Sequence, residues 1–255
     1  MFLADYHTHS RFSPDGHDGF SALLAAAERA GLNELCVTDH CDTWAPDFPA
    51  AERYDAFLEA RANNQTGVRL LLGVELGEAI LDDALADAAT ACPVDFIIGS
   101  HHVLRDGQDF YAVRYTSEAQ CHQLLVSYFA ELAETAERGC FDVLGHIDYP
   151  LRYMRRDGFA IRLLPRYETE LRALFGRLVQ KGLGIELNFG KWAEPHPALF
   201  ALFRQCGGEV VTIGSDAHRA GDVGRGIAEG AAICREAGFT HIAAYEQRRV
   251  RFEKM

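Results

Sequence analysis

Residues 69–76 read RLLLGVEL. Apolar side chains fall on both alternating faces of this run, so a strand built from it must be covered on both sides. Parallel sheets with helical crossovers cover their strands in this way, whereas a half-solvated antiparallel strand alternates apolar with polar residues. The run nevertheless carries a carboxylate, Glu75, to its far end. Six further runs have the same character: LADYH (3–7), ELCVTDH (34–40), FIIGSHH (96–102), DVLGHID (142–148), GIELNFG (184–190) and VVTIGSDAH (210–218).

Between the runs lie helical patterns. Phe20, Leu23, Leu24 and Ala27 recur at i, i+3, i+4 and i+7, and Gly31 follows as a C-terminal stop. Ser117 and Gln120 have capping-box spacing ahead of a stripe made by Leu124, Leu125, Tyr128, Phe129 and Leu132, with Gly139 beyond. A last long helix is expected from near Asp222 to before Gly238, with VGRGIAEG (223–230) packed tightly inside it. Repeated strand–helix order predicts an α/β fold, either an open sheet or a closed barrel. In both, functional groups gather at the carboxyl ends of the strands.

The chain has 255 residues, 48% of them hydrophobic, enough for one sizeable core, and no linker-like or low-complexity segment divides it. One domain spanning 1–255 is the expectation. The formal charge of −12 opposes binding to a phosphate backbone, so no nucleic-acid partner is expected. No apolar stretch reaches the roughly 18 residues of a membrane span, and no basic-then-apolar leader opens the sequence. The seven cysteines are scattered without a CxxC pair, which suits reduced thiols in the cytoplasm. No feature of the sequence fixes an oligomeric state.

The polar residues at the run ends converge in type. The first run delivers His7 and His9, which share a face if extended, with Asp15 just after; the second delivers Asp39 and His40, the third Glu75. His101 and His102 end the fourth, His146 and Asp148 the fifth, Asp216 and His218 the last. Singly, each has an ordinary explanation: Asp39 and Asp148 could cap loops, and Asp15 sits in the turn sequence SPDG. Together, so many imidazoles at one rim would be costly to desolvate and would repel one another once protonated. Bound cations remove both costs, and imidazole with carboxylate suits zinc, manganese or iron, a carboxylate such as Glu75 being able to bridge two ions. Ser100 and Ser215 lie near histidines but lack the G-x-S-x-G elbow of a nucleophilic serine.

The stretches HTHSRFSPDG, VTDH (37–40), GSHH with GHID, and GSDAH (214–218) resemble, in order, the four motifs of the PHP (polymerase and histidinol phosphatase) superfamily of metal-dependent phosphoesterases. The resemblance implies a distorted seven-stranded (β/α)7 barrel, TIM-like, and two to three divalent ions. By that resemblance His7, His9, Glu75 and Asp216 would hold the first ion. Glu75, His101 and His146 would hold the second, and Asp15, His40 and His218 the third. A hydroxide bridging the two ions at Glu75 would be the nucleophile. FDVLGHIDYPLRY (141–153) and GIELNFGKW (184–192) resemble the stand-alone histidinol-phosphate phosphatases of histidine biosynthesis. Many of those have N-T-S-G followed by a basic residue where this chain has Asn188, Phe189, Gly190 and Lys191.

The expected partner is therefore a small phosphorylated substrate. Arg152 and Lys191 are the candidate phosphate-binding cations, each with an ordinary surface role as its alternative. His102 is a candidate acid for the leaving alkoxide or a packed histidine facing away from His101. Asp42, Glu78 or Glu194 could pair with a substrate amine. Two other readings stand beside this one: a phosphatase of the same superfamily acting on a nucleotide, another small ester or phosphotyrosine, and a noncatalytic metal-binding module.

Overall fold

Each of the seven apolar runs becomes a strand of one parallel sheet: β1 (Ala4–Asp5), β2 (Glu34–Val37), β4 (Arg69–Gly77), β5 (Phe96–Ser100), β6 (Val143–Leu144), β7 (Gly184–Asn188) and β8 (Val211–Gly214). The path follows chain order, and a short β3 (His40–Cys41) continues the line of β2 along β4. The computed structural model describes residues 1–45 and 47–255. The sheet closes where the last strand meets the first, through Tyr6 N–H to Ile213 O (3.0 Å), Asp216 N–H to His7 O (2.8 Å) and His9 N–H to Ala217 O (2.8 Å). The result is a barrel of seven strands with one short addition, so the expected architecture is the observed one.

Helices α1 (Phe20–Arg29), α2 (Ala50–Ala62), α3 (Asp83–Ala89), α4 (Glu118–Arg138), α5 (Tyr149–Arg156), α6 (Glu168–Gln180), α7 (Pro197–Gln205) and α8 (Ile227–Glu236) fill the crossovers. Their apolar faces and the outward residues of the strands, such as Leu70, Leu72, Ile97, Ile185 and Ile213, form one continuous buried layer. α4 begins where expected: the Ser117 side chain accepts from Gln120 N–H, and Gly139 ends the helix at φ 64°. The last helix starts later than its pattern suggested. Gly224 and Gly226 take φ 81° and 74°, a left-handed geometry that precedes α8 rather than lying within it. Gly230 alone packs as foreseen, with no room for a Cβ against Ile213 and Phe189.

A hairpin of β9 (His241–Glu246) and β10 (Arg249–Lys254) follows, without any strong turn sequence to announce it. Its turn residues Gln247 and Arg248 have φ 50° and 64°. Tertiary bonds hold them there: Asp95 accepts both turn N–H groups, and Asp142 accepts from Arg248 Nε at 2.6 Å. β9 plugs the amino end of the barrel, where Ala243, Ala244 and Tyr245 pack with Ala4, Tyr6, Cys36, Leu71, Phe96, Val143 and Val210.

Tyr6 pins this plug. Its hydroxyl donates to Glu34 Oε2 (2.7 Å) and accepts from Tyr245 N–H (2.7 Å). Tyr6→Phe would strand two buried polar groups, a loss of about 1–3 kcal/mol. Urea denaturation is expected to show a lower midpoint with an unchanged slope.

Candidate metal centre

The opposite, carboxyl end of the barrel is polar and buried. Regular pairing of β1 stops at Asp5, so strict alternation lapses. Tyr6 packs on Phe96 and Tyr245 while the next residue, His7, meets Glu75 and Glu186. The loop beyond is moored by Asp39, which accepts from Ser10 N–H (2.6 Å), the Ser10 hydroxyl (2.9 Å), the Ser13 hydroxyl (3.0 Å) and Arg53 Nε (2.5 Å). Asp39 thus anchors the loop and takes no place among the candidate ligands. Arg53, from α2, is 2% exposed and also donates to the carbonyls of Val37 and Gly73. With the Ser13 proton committed to Asp39, His9 Nδ1–H donates to Ser13 Oγ (3.0 Å), and His7 Nδ1–H donates to Glu186 Oε1 (2.6 Å). Both imidazoles therefore turn Nε2 inward.

Those two Nε2 atoms are 3.1 Å apart, and Glu75 Oε2 lies 3.2 and 3.4 Å from them. Asp216 Oδ1, from the residue after β8 and Ser215, lies 3.7 and 3.5 Å away. A tetrahedron of donors around an ion with bonds of about 2.0–2.1 Å has edges of about 3.4 Å, so these four atoms could hold one cation. The second oxygen of Glu75 serves a different group. Oε1 is 2.8 Å from His146 Nε2 and 3.2 Å from His102 Nε2, which are 3.4 Å from each other. Towards the rim, Asp15 lies 3.1 Å from His218 Nε2 and 3.8 Å from His40 Nε2. Among the described residues, His40 Nδ1, His102 Nδ1, His146 Nδ1, Glu75 Oε2 and both Asp42 oxygens are buried without an aligned hydrogen-bond partner. Close but misaligned donor atoms that converge in this way fit cations better than one another.

One expected ligand faces elsewhere. Along β5 the residues turned into the barrel are Phe96, Ile98 and Ser100, whose hydroxyl donates to Glu75 Oε1 at 2.7 Å. The same parity brings in His102 and turns His101 out, where its Nε2 meets Glu131 on α4 (2.8 Å) beside Tyr128. His102, not His101, therefore lies in the cluster, with its Nε2 beside Glu75 Oε1 and His146 Nε2. Lys191 is also displaced from its expected role: it is exposed, with Nζ 4.5 Å above the Trp192 ring, and no contact among the described residues joins it to the cluster. Arg152 does reach it. This buried guanidinium donates to Asp216 Oδ2 (3.1 Å) and Asn188 Oδ1 (2.6 Å).

Of the acids considered for a substrate amine, Glu78 is occupied by Thr43 and by the N–H groups of His102 and Val103, and Glu194 pairs with Arg155 at the surface. Asp42 is buried between His40 and His102. Glu186 and Asn188 alternate into the barrel from β7 and join the cluster beside His7 and Arg152. Their i, i+2 spacing after Gly184 was the available signal.

Charge in the cluster is balanced internally. Burial alone would push His7, His40 and His102 down, but the carboxylates around them outweigh it and raise all three well above the usual histidine range. His9 behaves oppositely: burial, then the neighbouring His218 and His40, lower it to about 4. Burial would raise Glu75 and Asp216, yet the adjacent imidazoles hold both well below the carboxylate range. The carboxylates and His9 thus stand ready in the ligand form, while three imidazoles hold protons that a cation would displace. His102→Ala is expected to lose bound divalent metal by elemental analysis, whereas His101→Ala keeps its metal and loses thermal stability. Equal metal loss in both would refute the assignment by parity.

The PHP domain family model matches residues 5–189, well over half of the chain. Histidinol-phosphatase of Lactococcus lactis is 26% identical over 96% of this chain and 95% of its own length. A probable histidinol-phosphatase of Thermotoga maritima is 27% identical over 94% and 95%. The solved structure of the Lactococcus lactis histidinol phosphate phosphatase, in complex with zinc, L-histidinol and phosphate, superposes with a TM-score of 0.84 at 23% identity, covering 98% of both chains. Metal-dependent tyrosine phosphatases of Bacillus subtilis and Streptococcus pneumoniae share the fold less closely, with a TM-score of 0.50 at 17% identity over 92% of this chain and 87% of the other. The ordered motifs, the closed seven-stranded barrel and the family match agree, and the chain belongs to the PHP domain family.

Proposed function

We propose that residues 1–255 work as one metal-dependent phosphomonoesterase that hydrolyses L-histidinol phosphate to L-histidinol and phosphate, a step of histidine biosynthesis. The observation that carries the phosphoesterase reading is the placement of Glu75, with each carboxylate oxygen facing its own group of imidazoles. The choice of substrate is supported by relatives matched over nearly their whole length that bear that activity in their names. Two or three divalent cations of zinc, manganese or iron are proposed: the first on His7, His9, Glu75 and Asp216, the second on Glu75, His102 and His146, the third on Asp15, His40 and His218.

Such cations would supply Lewis acidity, neutralising the phosphoryl group and making a water acidic enough to attack at neutral pH. The chain's own residues prepare the rest. Glu75, His7 and His9 are fully buried, whereas the side chains of Asp15 and His218 are 50% and 29% exposed. The phosphoester therefore enters from that rim, past Trp44, whose ring lies 5.0 Å from that of His40. Arg152 is held by Asp216 and Asn188, which supports a role for its charge in binding a phosphoryl oxygen. Asn188 also bonds Gly190 N–H (2.7 Å), which fixes the loop that follows β7.

The decisive measurement is kcat/KM over a panel of histidinol phosphate, phosphotyrosine, nucleoside monophosphates and p-nitrophenyl phosphate. Histidinol phosphate is expected to lead by at least about tenfold. Parity across the panel would remove the substrate assignment and leave the phosphatase class intact. The protonated imidazoles set the pH behaviour: His7, His40 and His102 titrate above the ordinary histidine range, so cations compete with protons at neutral pH. Chelator-competition titrations are expected to show zinc affinity rising from pH 6 to pH 8. A flat profile would contradict this reading of the charge balance.

A further inference from the structure

Asp42 belongs to none of the three ligand groups, yet it lies against two of them. It is wholly buried at the end of β3, and room for its carboxylate is left by Gly77 of β4, where a Cβ would stand 1.6 Å from Asp42 Oδ1. Neither oxygen has an aligned donor among the described residues. Oδ2 lies 2.7 Å from His40 Nδ1 and 3.6 Å from His102 Nδ1, and neither of those nitrogens has an aligned partner either. The far nitrogen of each ring looks elsewhere: His40 Nε2 towards Asp15, His102 Nε2 towards Glu75 and His146. Among the described residues the other acceptor beside His40 Nδ1 is Glu75 Oε2, 3.0 Å away and assigned above to the first cation, and beside His102 Nδ1 it is Glu78 Oε1, 3.8 Å away and already used by two backbone N–H groups.

We propose that Asp42 is a positioning residue that sets the tautomer and orientation of His40 and His102 together, so that one carboxylate governs ligands of two separate cation positions. Imidazoles that bind metal through one nitrogen generally donate the other N–H to a carboxylate or carbonyl, and losing that acceptor typically costs 10–100-fold in metal affinity. What is particular here is the sharing. The second and third cations, held by different strands, depend on the same acceptor, while the first depends on His7 and His9, whose Nδ1 atoms are satisfied by Glu186 and Ser13. This inference rests on the metal centre proposed above.

Zinc titration against a chelator, on wild type and on Asp42→Asn, is the test. The variant is expected to weaken two of the bound zinc ions by about 10–100-fold each, and to leave the remaining one within about twofold. Gly77→Ala, which crowds the carboxylate without removing it, is expected to do the same. In zinc-loaded wild type, 15N spectra of the imidazoles should show both His40 and His102 as Nδ1–H tautomers, a readout that needs no variant to fold. Unchanged zinc affinities, loss of one ion only, or an Nε2–H tautomer at either histidine would overturn the proposal. A wild-type protein that bound no zinc would overturn the metal centre itself, and this inference with it.

Discussion

A carboxylate shut away from water must be balanced by charge close at hand, and Glu75 is balanced from several strands at once. Its register places it beside His40 on one side and Ile98 on the other. Its two oxygens then reach His7 and His9 just after β1, His40 of β3, His102 just after β5 and His146 just after β6. An isolated buried carboxylate would neutralise itself by taking up a proton, but this one is held ionised by its neighbours. The barrel must therefore close before the charge is tolerable, because the balancing groups come from strands far apart in sequence. Architecture and chemistry are one constraint here.

Strand count and rim were legible in the sequence because they depend on local features. An apolar run on both faces calls for a covered strand, and a polar residue at the end of such a run has few other places to go. Which of two adjacent histidines faces inward was not local. It follows from parity counted back to Phe96 along β5, and the same counting fails at Tyr6–His7 and Gly145–His146, where the strands lose their regular ladder. Resemblance alone put His101 in the place of His102, and the strand geometry reversed them.

Other features stayed hidden because their partners are distant. Arg53 reads as a surface charge on an unremarkable helix, but it reaches through to Asp39 and so holds the loop that presents His9. The C-terminal hairpin turns at Gln247 and Arg248, residues with no turn preference, because Asp95 and Asp142 bind that turn from elsewhere. Lys191 looked like a phosphate ligand by position, and a neighbouring tryptophan claims it instead. In each case the deciding interaction spans strands or loops that no window of sequence contains.

The closure of the barrel between its first and last strands has a consequence for how the protein comes into being. Translation produces His7 and His9 some two hundred residues before Asp216. The hairpin that seats Tyr6 comes later still. Until β8 and β9 have emerged, the opening strand has lost half of its neighbours and the first ligand group lacks a member. A nascent chain therefore cannot complete that group until its last barrel strand has emerged, a delay set by the order of the strands alone.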